Sequence, residues 1–210
     1  METVALFGCG KIGHAICALL TGSGRYRIKA CDIDPAAAKR LSVKWPNTSA
    51  HTIDLKSESE HLKNDAQALS LLDDCTAVVS ALPYFCNRQV ANLAKVSSTH
   101  YLDLTEDVES AEIISELAAD ADVAFVPQCG LAPGVISIVT SFLIRQFDKV
   151  DTVKMRVGAL PIYPSNLLKY NLTWSTEGLI NQCGNMCEVI DDHTRTLAFP
   201  LEGYERFSLD

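Results

Sequence analysis

The glycines and acids of this sequence carry most of its chemistry. The stretch "GCGKIG" puts Gly8, Gly10 and Gly13 in the spacing G-x-G-x-x-G. Between a strand and a helix that spacing suits a dinucleotide. The first glycine makes the turn, the second lets backbone approach a diphosphate, and the third packs helix on strand. The helix start, at Lys11 and Ile12, then faces the phosphates. Asp32 lies nineteen residues after Gly13. A carboxylate there accepts hydrogen bonds from an adenosine ribose 2′-hydroxyl and repels a 2′-phosphate. Ile33 follows it rather than an arginine, so NAD is expected over NADP.

A second group of acids lies in "HYLDLTED", which brings His100, Asp103, Glu106 and Asp107 close together. An acid at a strand end can bind a substrate ammonium or take its proton. It can equally cap the next helix, as Thr105 and Asp107 are suited to do. Both readings stand for Asp103 and Glu106, and His100 reads as structural. Asp54 ends another strand and fits either the adenine side or a solvated acid. A third group, "YNLTWSTEGLI", offers Tyr170, hydroxyls and Glu177 ahead of a helix-like run. Cys183 and Cys187 stand four apart with no second ligand pair, so no metal is expected.

The elements that must position these residues follow from two periods. Short apolar runs, "TVALFG", "YRIKACD", "SAHTIDL", "TAVVSALP", "THYLDLT" and "VAFVPQ", have strand length. Between them lie helical patterns starting at Lys11, Asp34, Ser57, Tyr84 and Asp107. Six strands alternating with helices predict a doubly wound, parallel α/β sheet of Rossmann type. Ligands of such sheets sit at the carboxyl ends of the strands, which sets Ala81, Leu82 and Pro83 along the cofactor.

Past residue 128 the pattern changes. "QCGLAPG" is a glycine-lined turn, and Pro133 suits the first turn of a helix. The apolar run that follows reads as a buried helix. "DTVKMRVGAL", "YNLTWS", "NMCEVIDD" and "RTLAFPL" read as strands, the last two joined by a turn at "DDHT". The expectation is a nucleotide domain over 1–128 and the start of an α+β substrate or dimerisation domain over 129–210, with an antiparallel sheet.

Composition narrows the class. The 210 residues carry a net charge of −8. That excludes a general nucleic-acid binder, which needs a basic footprint. No apolar run reaches the ~18 residues of a membrane span. With no basic leader segment, a cytoplasmic protein with reduced cysteines is expected.

"HYLDLTED", "VPQCGLAPG" and "YNLTWSTEGLI" together resemble the saccharopine dehydrogenase-like oxidoreductases, closest to the lysine 6-dehydrogenase branch. The resemblance runs from "LFGCGKIG" to "FPLEGYERF". It implies nicotinamide-dependent chemistry at a C–N bond of an amino acid, with lysine oxidised by NAD to an imine that water then cleaves. It also implies that Gly130, Leu131 and Pro133 lie near the nicotinamide, where cofactor and substrate meet. Tyr170 and Glu177 would shape the substrate side, and Asp103, Glu106 or Lys169 would be the base. Relatives carry a lysine after the tyrosine of "YKxTWS", where this chain has Asn171. They also run well beyond 210 residues, so a fragment is expected. Two rivals stand beside the lysine reading: a saccharopine or carboxynorspermidine-type enzyme, and a non-catalytic NAD-binding module. The sheet beyond residue 150 is expected to pair across a homodimer.

Overall fold

The computed structural model describes residues 1–55, 66–158, 161–163, 165–167, 176–203 and 205–206. Six strands form one sheet: β1 (Glu2–Phe7), β2 (Tyr26–Asp32), β3 (Thr48–Thr52), β4 (Ala77–Ser80), β5 (His100–Asp103) and β6 (Phe125–Val126). Their order is β3-β2-β1-β4-β5-β6, and every pairing is parallel. The direction of winding therefore reverses between β1 and β4. In register, Phe7 lies opposite both Cys31 and Ser80, and Ser80 lies opposite Asp103. One row across the carboxyl ends thus holds Cys31, Phe7, Ser80 and Asp103.

The strands are apolar because both faces are covered. Along β1, Val4 and Leu6 point into one core with Ile28, Ala30, Cys17 and Leu41. Ala5 and Phe7 point into the other with Val78, Tyr101, Leu72 and Val90. The helices that cover them are α1 (Lys11–Gly22), α2 (Pro35–Lys44), α3 (Ala66–Leu72), α4 (Asn87–Val96) and α5 (Val108–Ala118). Local chemistry sets their ends. The Asp34 carboxylate accepts the N–H of Ala36 at 2.9 Å, and Pro35 takes the first position of α2. Trp45 is extended ahead of Pro46, which closes that helix. Asp107 caps α5 by accepting the N–H of Ser110 at 2.8 Å.

Beyond β6 come α6 (Val135–Ile144), α7 (Thr176–Gly184) and a hairpin of β7 (Cys187–Asp191) and β8 (Thr194–Ala198). The hairpin is antiparallel, as the sequence predicts. Asp192 and His193 both have positive φ, the pair of conformations that a tight hairpin turn requires. The chain divides into two compact units, Met1–Asn171 and Leu172–Asp210.

Three expectations change. Residues 151–158 are exposed and form no strand. Alternation signals a half-buried strand, but both sets of alternating residues are exposed here. The helix after the glycine turn begins at Val135, with Gly134 as its N-cap, so Pro133 stands outside it. That helix is not buried either: Ile138 is 71% and Phe142 64% exposed. Its composition asks for a covering surface that the described residues do not provide. The expected strand at 170–175 lies outside the described residues.

Candidate functional site

The glycine turn leaves β1 and enters α1 with almost no space to spare. Gly8 has φ +94°, and a Cβ there would stand 2.7 Å from the Ala81 carbonyl oxygen. A Cβ on Gly13 would stand 1.8 Å from the Gly8 oxygen. Both positions therefore demand glycine for packing. Gly10 differs, because a Cβ there would meet nothing within 4 Å. Its missing side chain leaves open space over the backbone.

Two of the turn's donors are already taken. Gly8 N–H is held by the Cys31 carbonyl at 2.9 Å, and Cys9 N–H by Asp32 Oδ2 at 2.7 Å. Among the described residues, nothing takes the N–H groups of Lys11 and Ile12 at the start of α1. Donors without acceptors at a helix end, beside a glycine with no Cβ, have the chemistry that fits a diphosphate. Asp32 stands at the end of β2, its other oxygen accepting the N–H of Asp34 at 2.9 Å. Ile33 beside it is 65% exposed. Ala81 and Leu82 are half-buried and Pro83 is exposed, just past the end of β4. Asp54 is exposed beyond β3.

The start of α6 is built in the opposite sense. The N–H of Val135 bonds to the Gly130 carbonyl at 2.9 Å and that of Ile136 to Leu131 at 3.0 Å. The turn's own carbonyls thus consume the donors. Gly134 has φ +129°, and a Cβ there would stand 2.2 Å from the Gly130 oxygen. Leu131 is 61% exposed on this turn. Gly130 packs toward the Leu104 carbonyl, so the turn stands at the end of β5.

At that end a buried polar chain links four elements. Ser80 Oγ donates to Asn87 Oδ1 at 2.7 Å. The Tyr101 hydroxyl faces the Asn87 carbonyl at 3.4 Å and donates to Asp103 Oδ2 at 2.7 Å. Asp103 Oδ1 accepts the N–H groups of Thr105 and Gln128, each at 3.0 Å. Thr105 Oγ1 accepts the N–H of Asp107 at 3.1 Å. Asp103 is fully buried, whereas Glu106 is half-buried. Burial first, then the charges of Asp107 and Asp103, hold the Glu106 carboxyl above the usual carboxylate range. Burial also pushes the Tyr101 phenol up, with Asp103 adding to it. His100 Nδ1 accepts the N–H of Ala124 at 3.0 Å, a structural role.

Residues 4–126 match the saccharopine dehydrogenase NADP-binding domain, and residues 130–204 match the saccharopine dehydrogenase C-terminal domain. The chain belongs to the saccharopine dehydrogenase family. It is 24% identical over 198 residues to a saccharopine dehydrogenase [NADP(+), L-glutamate-forming] of Pyricularia oryzae, covering 91% of this chain and 42% of that protein. The fold matches an apo saccharopine dehydrogenase (L-Glu forming) from Saccharomyces cerevisiae at TM-score 0.65 and 18% identity, covering 95% of this chain and 44% of that one. A myo-inositol dehydrogenase of Corynebacterium glutamicum shares the fold at TM-score 0.51 and 17% identity, over 70% of this chain and 41% of that one. This chain spans less than half the length of these relatives. The cradle around Gly8–Gly13 is thus part of the family's nicotinamide-nucleotide domain.

The structure gathers Gly8, Gly10, Lys11, Ile12, Gly13 and Asp32 in one place, with Ala81 against Gly8. It sets Asp103, Glu106 and Gly130 at the end of β5. Lys169 and Tyr170, with Asn171, lie outside the described residues, as does the side chain of Glu177. Sequence reasoning missed Tyr101, Asn87 and Gln128. Tyr101 and Asp103 share a strand face at i and i+2, which is a usable signal. Gln128 is 25 residues from Asp103, and no local pattern shows that bond.

Two outcomes test the site. Gly10→Ala should melt within a few degrees of the native chain yet bind NADH at least about tenfold more weakly, a cost of ~1.4 kcal/mol. Gly13→Ala should lose the fold itself, since the intruding Cβ meets backbone. Circular dichroism melts and fluorescence titration separate the two. Glu106→Gln should raise the melting temperature at neutral pH. A carboxyl held above its unfolded value loses stability as pH rises from about 4.3, the unfolded value, through its folded value. The gain from Gln should therefore fade below about pH 4.

Proposed function

We propose that this chain carries the nucleotide domain, and the start of the substrate domain, of an NAD-dependent oxidoreductase acting on the C–N bond of an amino acid. The division falls near residues 128 and 129, and lysine is the first substrate to test. The observation that supports this most is the open glycine cradle at the end of β1, two strands across the sheet from a half-buried acid at the end of β5. The cofactor, when bound, supplies the hydride acceptor.

The chain's own residues supply binding and proton handling. Gly8 and Gly10, with the N–H groups of Lys11 and Ile12, hold the diphosphate. Asp32 faces the ribose, and Ala81, Leu82 and Pro83 line the path to the nicotinamide. Gly130, Leu131 and Pro133 flank the substrate. The substrate ammonium loses one proton, and the amine carbon then gives up a hydride, which leaves a C=N bond that keeps two protons on nitrogen. Water adds to that carbon and ammonia leaves. Glu106 is the group we assign to take the proton from nitrogen. A carboxyl raised toward the working pH makes a better base than an ordinary glutamate.

Asp32 supports NAD, because a second negative group at the ribose would be repelled. One observation favours NADP instead: the Arg40 guanidinium lies 3.9 Å from Asp34, two residues past Asp32. The Pyricularia relative is itself described with NADP(+). The exposed hairpin supports a homodimer, because a lone pair of strands is marginal in water. Light scattering should give twice the chain mass, and a monomer at high concentration would contradict this.

The deciting experiment follows NADH or NADPH absorbance with lysine, saccharopine and diamines as donors. Turnover of lysine with NAD is the expected result. Turnover of saccharopine alone would move the substrate to a secondary amine. Cofactor binding with no turnover of any amine would leave a nucleotide-binding module and overturn the enzymatic reading.

A further inference from the structure

We infer that Asp103 is a positioning residue whose buried carboxylate ties the end of β5 to the Gln128–Gly134 turn, and so sets where that turn and Glu106 stand. This rests on the reading of the β5 end as the substrate side.

Four bonds carry the inference. Tyr101 OH fills Oδ2, Thr105 N–H and Gln128 N–H fill Oδ1, and Cys129 N–H donates to the Asp103 carbonyl at 2.7 Å. With no exposed surface and every oxygen engaged, the carboxylate cannot reach a substrate proton. Among the described residues no lysine or arginine pairs with it, so neutral donors alone compensate its charge. Such a group is kept at the cost of desolvation, and its partners show what it holds.

The partners lie on both sides of the site. Gln128 has φ +61°, a left-handed conformation that a non-glycine residue keeps only where its surroundings over-determine it. The two bonds to Asp103, from Gln128 and Cys129, do that. From residue 130 on the turn is stiff, because its carbonyls hold the first N–H groups of α6 and Gly134 packs on Gly130. Its placement is therefore decided at Gln128. On the other side the same Oδ1 fixes Thr105, whose hydroxyl fixes Asp107, with Glu106 between them. One carboxylate thus sets the spacing between Glu106 and the turn.

Asparagine and alanine separate support from proton transfer. Asp103→Asn keeps the carbonyl oxygen that accepts Thr105 and Gln128. Its amide would donate to Tyr101, whose hydroxyl can then turn to the Asn87 carbonyl. Asp103→Ala removes all three side-chain bonds. The test measures amine turnover, NADH affinity and amide hydrogen exchange for the native chain and both variants. Asp103→Ala should lose about 100-fold in kcat, the scale of an ångström's misplacement. Its 128–136 amides should exchange at least about tenfold faster, while those of β1 and β2 and the NADH affinity stay unchanged. Asp103→Asn should recover kcat to within about tenfold and keep the turn protected.

Asparagine as inactive as alanine with a protected turn would make Asp103 the base and overturn the inference. Faster exchange throughout the sheet, with NADH binding lost, would make it a core residue only and also overturn it. If Asp103→Ala cannot be purified, Asp103→Asn decides by the same two readings. If the native chain turns over no amine, the enzymatic reading fails by itself. Exchange at 128–136 then decides the clasp alone: local loss of protection supports it, and no change or a global change overturns it.

Discussion

Contact between backbones at Gly8 governs how this nucleotide domain is assembled. The residue sits between the end of β4 and the first turn of α1, with no room for its own Cβ against Ala81 or for one on Gly13 against its carbonyl. That approach brings β1, α1 and β4 together where the sheet reverses its winding. It also fixes where the α1 N-terminus points. Cys9 between the glycines gives its N–H to Asp32, so the end of β2 braces the same turn. The open space over Gly10 exists because its neighbours on both sides are locked.

Two helix starts show how one motif serves opposite ends. At α1 the first N–H groups have no acceptor among the described residues, so the helix dipole and donors are available to an anion. At α6 the carbonyls of Gly130 and Leu131 already occupy the first donors. Both turns are glycine-lined, yet among the described residues only the first leaves its helix-start donors without acceptors. The second uses its glycines to fold tightly on itself. It presents side chains such as Leu131 and the backbone of the turn, not charge-seeking N–H groups.

Much of this was legible in the sequence where one local rule decides the outcome. Strand β2 runs over Tyr26–Asp32, the residues of the apolar run itself, because glycine precedes it and an acid ends it. The α2 start follows from Asp34 and Pro35, and the hairpin turn from its polar residues. Where two distant segments decide together, spacing was silent. The role of Asp103 depends on Gln128, and the two acids at the β5 end look alike until burial separates them. The apolar content of α6 was read correctly, but burial needs a partner surface, which composition does not supply. Residues 151–158 alternate in the same way as a strand, yet all of them are exposed.

The central claim is that the nicotinamide nucleotide binds at the α1 cradle. The most direct measurement is an NADH titration of isotopically labelled chain, followed by amide chemical shifts. The account predicts saturable shifts, largest at Gly10, Lys11 and Ile12, with the amides of Val135 and Ile136 far less affected. Shifts centred on the start of α6, or none that saturate at the cradle, would contradict it.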